Sequence, residues 1–261
     1  MKLMTFLTDF GIKSSYIAQM KAVALNITNP KIIDITHNIT PQNVKEGAFI
    51  LKTTAPYFPN GTVHVAVVDP GVGTDRRGIV VTTKTQILVG PDNGLLIPAA
   101  KHISEFQVYE IKNKKLMEDS ISDMFHGRDI FTPVASYILD GVFFDQVGPR
   151  IHDYKKLDLD NSVIKERTAE GEAIHIDDFG NVITNIDGLK LRQTLDFNKK
   201  IKLNIGKKQV QMPFVRTYGE TKKNTALSTI GSSNYFEISV NQGDAKEKYK
   251  VKLGDKIKIS F

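Results

Sequence analysis

The chain has 261 residues, 41% of them hydrophobic and 25% charged, and it contains no cysteine. A composition of this kind belongs to a globular protein long enough to bury one large core or two smaller ones. It excludes disulfide scaffolds, thiolate metal sites and cysteine nucleophiles. The net charge of +6 divides unevenly, with +9 in residues 199–261 and −3 in residues 1–198.

In chain order, short strand-like and helix-like runs alternate through the first half. Met1–Leu7 reads as a strand. Ser14–Leu25 reads as a helix with Tyr16, Ile17, Met20, Val23 and Ala24 on one face. Lys31–Ile35 is strand-like, Val44–Thr53 helical, and Thr62–Val68, Ile79–Thr83 and Ile87–Val89 strand-like. A further helix spans Asp129–Leu139. Strands alternating with helices predict a mainly parallel sheet flanked by helices. From Glu172 onward the pattern changes to short alternating runs at Ala173–Ile176, Val182–Ile186, Ile201–Ile205, Val210–Pro213, Phe236–Val240, Val251–Leu253 and Lys256–Ile259. Such spacing predicts a small all-β barrel. The expected organisation is an N-terminal α/β domain over 1–155, a linker over 156–170 and a C-terminal β-barrel over 171–261.

The lysines of the basic C-terminal third alternate with apolar residues, as in Lys200-Ile201-Lys202-Leu203 and Lys256-Ile257-Lys258-Ile259. That is the pattern of the solvent side of half-buried strands. No aromatic residues interleave as a stacking platform for nucleic acid would require, so no nucleic-acid partner is expected. No apolar run reaches the ~18 residues of a membrane span, and Asp9 interrupts the start before a signal-peptide core could form. A cytoplasmic protein without a membrane partner is the expectation.

The densest chemistry lies between Val63 and Leu96, where apolar strands end in Asp-Pro-Gly and Pro-Asp-Asn-Gly turns. Gly71-Val72-Gly73 lacks the third glycine of a dinucleotide fingerprint. Gly73 to Gly78 is followed by Ile79-Val80 rather than the Lys-Ser/Thr of a phosphate loop. Asp69 ends a strand, Arg76 lies seven residues on, and His126 sits in a polar turn before a helix. An acid, a guanidinium and an imidazole can orient and activate a water, and they can equally form a structural ion pair and a helix-start residue. Asp34 and His37 could supply two metal ligands, but no other histidine is spaced to join them, and an Asx-type turn accounts for them. Asp9, at the end of a strand before a helix, suits a ribose diol or a helix cap. Ile176–Asn181 reads as a turn between two strands.

Taken in order, Thr8-Asp9-Phe10-Gly11, Met20–Val23, Ile33–His37, the block from Pro56 to Arg77, Gly90–Leu96, Phe125–Phe131, Asp177–Ile186 and Gly231–Gly243 form a specific set. The chain resembles the S-adenosyl-L-methionine (SAM) hydroxide adenosyltransferases, or SAM hydrolases, relatives of the 5′-fluorinase and 5′-chlorinase. The resemblance spans nearly the whole chain. It implies hydrolysis of SAM to adenosine and methionine by attack of an activated water on ribose C5′, with no cofactor and no metal. The family's Asp-Arg-His set falls on Asp69, Arg76 and His126, and Gly127 stands where fluorinases carry a serine. By the same resemblance Asp9 would hold the ribose, Phe125 and Tyr218 would sandwich the adenine, and Asn181 would read its edge. Asp177 and Ser232 would hold the methionine end, with Phe179 lining the site. The family also implies a homotrimer with sites between subunits. The alternatives are a SAM-dependent 5′-halogenase and a non-catalytic SAM- or adenosine-binding module.

Overall fold

In β1 (Leu3–Thr8) the side chains of Met4 and Phe6 join one buried cluster while Leu7 reaches Gly47 on the opposite side. Every residue of this strand is buried, which a strand shows only when both faces of its sheet are covered. The computed structural model describes residues 2–206 and 208–261, so Met1, the first residue of the expected strand, lies outside the described residues. The chain forms two compact units, Met1–Leu157 and Asp158–Phe261.

The first unit continues through α1 (Tyr16–Ile27), β2 (Lys31–Thr36), α2 (Val44–Thr54), β3 (Val63–Val67), β4 (Gly78–Thr83), β5 (Ile87–Pro91), α3 (Ile97–Ile103), β6 (Phe106–Glu110), α4 (Thr132–Leu139), α5 (Phe144–Val147) and β7 (Arg150–Ile151). The sheet order is β2-β1-β3-β5-β4-β6-β7. The expected parallel sheet is its β2-β1-β3-β5 portion, and β4, β6 and β7 extend it in antiparallel fashion. Met20 and Ala24 of α1 and Val134, Ala135 and Ile138 of α4 pack on the Met4–Phe6 face. α2 approaches the other face through Gly47, where a Cβ would stand 2.9 Å from Leu95 and 3.0 Å from Val68. Of the face expected for α1, Met20 and Ala24 are buried, whereas Tyr16 is exposed. The helix expected from Asp129 begins as a π-helical turn, Gly127–Phe131, and becomes α-helical at Thr132.

A buried polar chain crosses this unit. His64 of β3 pairs through Nδ1 with Thr5 Oγ1 (2.7 Å) and through Nε2 with Gln86 Oε1 (3.2 Å). Gln86 Nε2 donates to the carbonyls of Ala55 and Phe58. Burial depresses the His64 pKa to about 4, opposed by its hydrogen bond to Gln86.

The second unit contains β8 (Val163–Lys165), β9 (Thr168–Ile176), β10 (Val182–Asp187), α6 (Gly188–Leu191), β11 (Lys199–Ile205), β12 (Lys208–Phe214), β13 (Ala226–Ile230), β14 (Tyr235–Val240), α7 (Ala245–Tyr249) and β15 (Lys256–Ser260). Seven strands in the order β10-β14-β13-β12-β11-β15-β9 close into a barrel through the β9–β10 pairing, and β8 adds outside β9. Closure removes the sheet edges. Phe214, Phe236, Ile201, Leu203, Ile257 and Ile259 fill the interior. Lys200, Lys202, Lys256 and Lys258 are exposed between them, as the alternation predicts. The strand expected at Val251–Leu253 is absent: α7 ends at Lys250, whose left-handed backbone (φ 57°) caps the helix, and the chain then turns into β15. Val251 is buried as an anchor for that turn rather than as a strand residue.

Candidate active site

β3 delivers Asp69 to the start of a tight loop. Within it Val72 N donates to Asp69 O (3.3 Å), Thr74 N to Gly71 O (3.2 Å), and Thr74 Oγ1 to Gly71 O (2.7 Å). The chain thereby doubles back, and Arg76 Nε donates to Asp69 Oδ1 (3.2 Å) while Nη2 donates to Oδ2. Arg76 Nη2 also donates to His126 Nδ1 (3.0 Å). The three residues found by sequence are therefore one hydrogen-bonded cluster. Gly73 makes this approach sterically possible: its φ is +76°, and a Cβ there would stand 2.7 Å from the carbonyl oxygen of Asp123, on the segment that carries His126. Behind the cluster, the Arg76 guanidinium carbon lies 5.2 Å from the centre of the Phe131 ring.

The electrostatics follow from burial. The side chains of Asp69 and Arg76 are only 4% and 9% exposed. Burial raises the Asp69 pKa above the ordinary aspartate value, against the opposing pull of Arg76, the Gly71 N–H and His126. Burial, reinforced by the Arg76 charge, lowers the pKa of His126. Because a guanidinium only donates, His126 Nδ1 must accept, and the neutral ring carries its proton on Nε2.

The Pro-Asp-Asn-Gly turn holds both arms of this loop, a role that spacing alone did not reveal. Asn93 Nδ2 donates to Val68 O (2.8 Å), next to Asp69. Asp92 N donates to Arg77 O (2.9 Å), and Arg77 returns Nε (3.0 Å) and Nη2 (2.7 Å) to Asp92 Oδ2. The same Arg77 carbonyl accepts from Arg76 Nη1 (3.1 Å). A turn motif that follows a strand paired beside the catalytic candidate was the available signal.

Elsewhere in the first unit, Asp9 follows β1 and accepts at Oδ2 from Gln42 N (2.8 Å). Phe125, next to His126, meets Phe10 and Tyr16 edge-on at 5.9 Å and 5.2 Å. Asp34 and His37 lie 3.1 Å apart, but Lys21 Nζ sits 2.6 Å from the Asp34 carboxylate, and His37 Nδ1 faces Thr8 Oγ1 (2.9 Å). Among the described residues no three His, Asp or Glu side chains are gathered as metal ligands.

In the second unit, Asp177, Phe179, Asn181 and Tyr218 line one pocket of about 690 Å³ together with Asn241, Gln242 and Asp244. Asp177 Oδ1 accepts from Phe179 N (3.0 Å) and Asn181 N (2.8 Å), and Oδ2 accepts from Asn181 Nδ2 (2.8 Å). Gly180 (φ +78°) completes the turn, where a Cβ would stand 2.2 Å from the Asp244 carboxylate. Phe179 is 78% exposed and Tyr218 43%. Tyr218 Oη donates to Glu237 Oε1 (2.5 Å), and Ser239 Oγ donates to the same oxygen (2.8 Å). Burial, then the Glu237 carboxylate, raises the Tyr218 pKa, so the phenol stays protonated. Ser232 is exposed in the turn between β13 and β14 and does not line this pocket.

Comparison with known proteins connects these features. Residues 4–148 match the family model for the SAM hydroxide adenosyltransferase N-terminal domain, and residues 171–258 match that for its C-terminal domain. A protein of Methanocaldococcus jannaschii named (R)-S-adenosyl-L-methionine hydrolase is 36% identical over 99% of this chain and 96% of its own length. A fluorinase of Nocardia brasiliensis aligns over 98% of this chain and 96% of its own length at 23% identity. The crystal structure of an uncharacterized conserved protein from Thermotoga maritima superposes with a TM-score of 0.92 at 38% identity, covering 99% of this chain and all of that one.

Proposed function

The chain belongs to the SAM hydroxide adenosyltransferase family, and we propose that it hydrolyses (R)-S-adenosyl-L-methionine to adenosine and L-methionine. The buried Asp69–Arg76–His126 cluster is the observation that carries this reading. A water oxygen bonds to ribose C5′ while the C5′–S bond breaks, and its electron pair passes to sulfur. The sulfonium becomes the neutral thioether of methionine, and the water's proton is released.

Since the leaving group departs uncharged, the demand on the protein is to present an oxygen nucleophile in a partly dry site. The Arg76 charge favours deprotonation of a water beside it. His126 Nδ1 is occupied by Arg76, so its Nε2–H orients that water as a donor. Asp69, with its raised pKa, takes the proton. No step calls for a metal or cofactor, and chelation with EDTA leaves the rate unchanged. Asp9 holds the ribose hydroxyls, and the pocket of Phe179, Tyr218 and Asn181 holds the base. Homotrimeric assembly and a cytoplasmic location belong to the same reading; light scattering in solution tests the first.

The decisive experiment incubates the protein with (R)- and (S)-SAM separately, with chromatography of the nucleosides. Adenosine and methionine in equal amounts from the (R) epimer are expected. A 5′-halo-5′-deoxyadenosine formed in chloride or fluoride would establish a halogenase instead, and SAM recovered intact would establish a binding module.

A further inference from the structure

In the second unit, the exposed rings of Phe179 and Tyr218 line a pocket that has no Lys, Arg or His among its described lining residues. Exposed rings beside a cavity suit a planar heterocycle. Asn181, 8% exposed, supplies an amide to this wall, and that amide is not free to turn over. The Asp177 carboxylate accepts from two backbone N–H groups at Oδ1, and at Oδ2 it accepts from Asn181 Nδ2 (2.8 Å). A carboxylate accepting at both oxygens has no proton to give, so Asn181 must turn its NH₂ toward it. Asn181 Oδ1 therefore lies on the side of the amide turned away from that carboxylate. The edge left for a ligand is a carbonyl acceptor beside the amide's second N–H.

Such an edge complements an amino group next to a ring-nitrogen acceptor, the arrangement of a 6-aminopurine. In a 6-oxopurine the exocyclic donor becomes an oxo acceptor, which would face the Asn181 carbonyl oxygen without a hydrogen between them. We propose that Asp177 is a positioning residue that sets base specificity: by locking the Asn181 amide it selects a 6-aminopurine nucleoside over its 6-oxo counterpart. This deepens the hydrolase reading and rests on the pocket taking the nucleoside end of the substrate.

The test compares kcat/KM for (R)-SAM and for its 6-oxo counterpart, S-inosyl-L-methionine, and Kd for adenosine and inosine, in the native chain and in Asp177→Asn. The native chain prefers the 6-amino ligand by about tenfold or more. Asparagine supports the same turn, and its Oδ1 can still accept both backbone N–H groups. Its own NH₂ then donates to Asn181 Oδ1 and turns that amide over. In Asp177→Asn the preference falls to within about twofold or reverses. A purely structural role would weaken both ligands together and leave the ratio intact, which overturns the proposal. Native adenosine and inosine affinities within about twofold of each other overturn it as well, whether or not the variant folds. Should (R)-SAM survive while the adenosine preference and its loss in Asp177→Asn both hold, the hydrolase reading fails and the role of Asp177 stands.

Discussion

In the first unit the polar groups of the site are taken out of water and set against one another. In the second unit aromatic rings are left in water beside a single oriented amide. Asp69 and Arg76 are 4% and 9% exposed at their side chains, whereas Phe179 is 78% exposed. The first arrangement shifts proton affinities and costs desolvation, so it depends on every member being present. The second leaves apolar surface uncovered and can tolerate change without loss of fold. Under the proposed function, reactivity and recognition are thus built from opposite treatments of solvent.

The sharpest way to break this contrast is Arg76→Ala. It leaves Asp69 buried without its cation, and the expected cost is about 3–5 kcal/mol of stability in urea denaturation. The milder Asp69→Asn keeps the shape and lowers kcat by about 10²–10⁴-fold with KM nearly unchanged. In the native chain, kcat/KM declines on the acid side as Asp69 takes up a proton, at a pH above the ordinary aspartate value of 3.8.

Acidification alone tests the buried interior of the first unit. His64 titrates at about 4 when folded and at 6.5 in the unfolded chain. Between those values the unfolded state binds a proton that the folded state refuses, so stability falls as pH drops through this window, by about 3 kcal/mol. His64→Gln flattens that slope in denaturant titrations at pH 7 and pH 4.5.

Gly73→Ala forces a left-handed residue and a contact at 2.7 Å from Asp123 O. The expected loss is about 1–3 kcal/mol, seen as a lower melting temperature together with a lower kcat. The smallest effect belongs to the open pocket: Phe179→Ala raises KM about tenfold through lost stacking and leaves the melting temperature unchanged. Equal damage to stability from Phe179→Ala and Gly73→Ala would dissolve the distinction between the two regions.

Much of this is legible in the sequence. The continuously buried apolar runs of β1 and β3, the lysine-apolar alternation of β11 and β15, and the helix over α2 follow from hydrophobic patterning. Patterning misled at Val251–Leu253, because one buried valine anchoring a helix exit looks the same as a strand residue. Asp69, Arg76 and His126 could be named as acid, cation and imidazole, and the family resemblance joined them. Their residue types left open whether they touch.

The sequence by itself determined which elements form, since backbone geometry and side-chain burial repeat at short range. It also determined the chemical inventory of the site. Only the tertiary structure decided that Arg76 bridges Asp69 and His126, that Asn93 and Asp92 brace the loop from the neighbouring turn, and that Asp177 holds the Asn181 amide. Hydrogen bonds within about 3 Å depend on loop closure, and closure depends on which groups can be desolvated together. That balance is set by the packed whole and has no period along the chain.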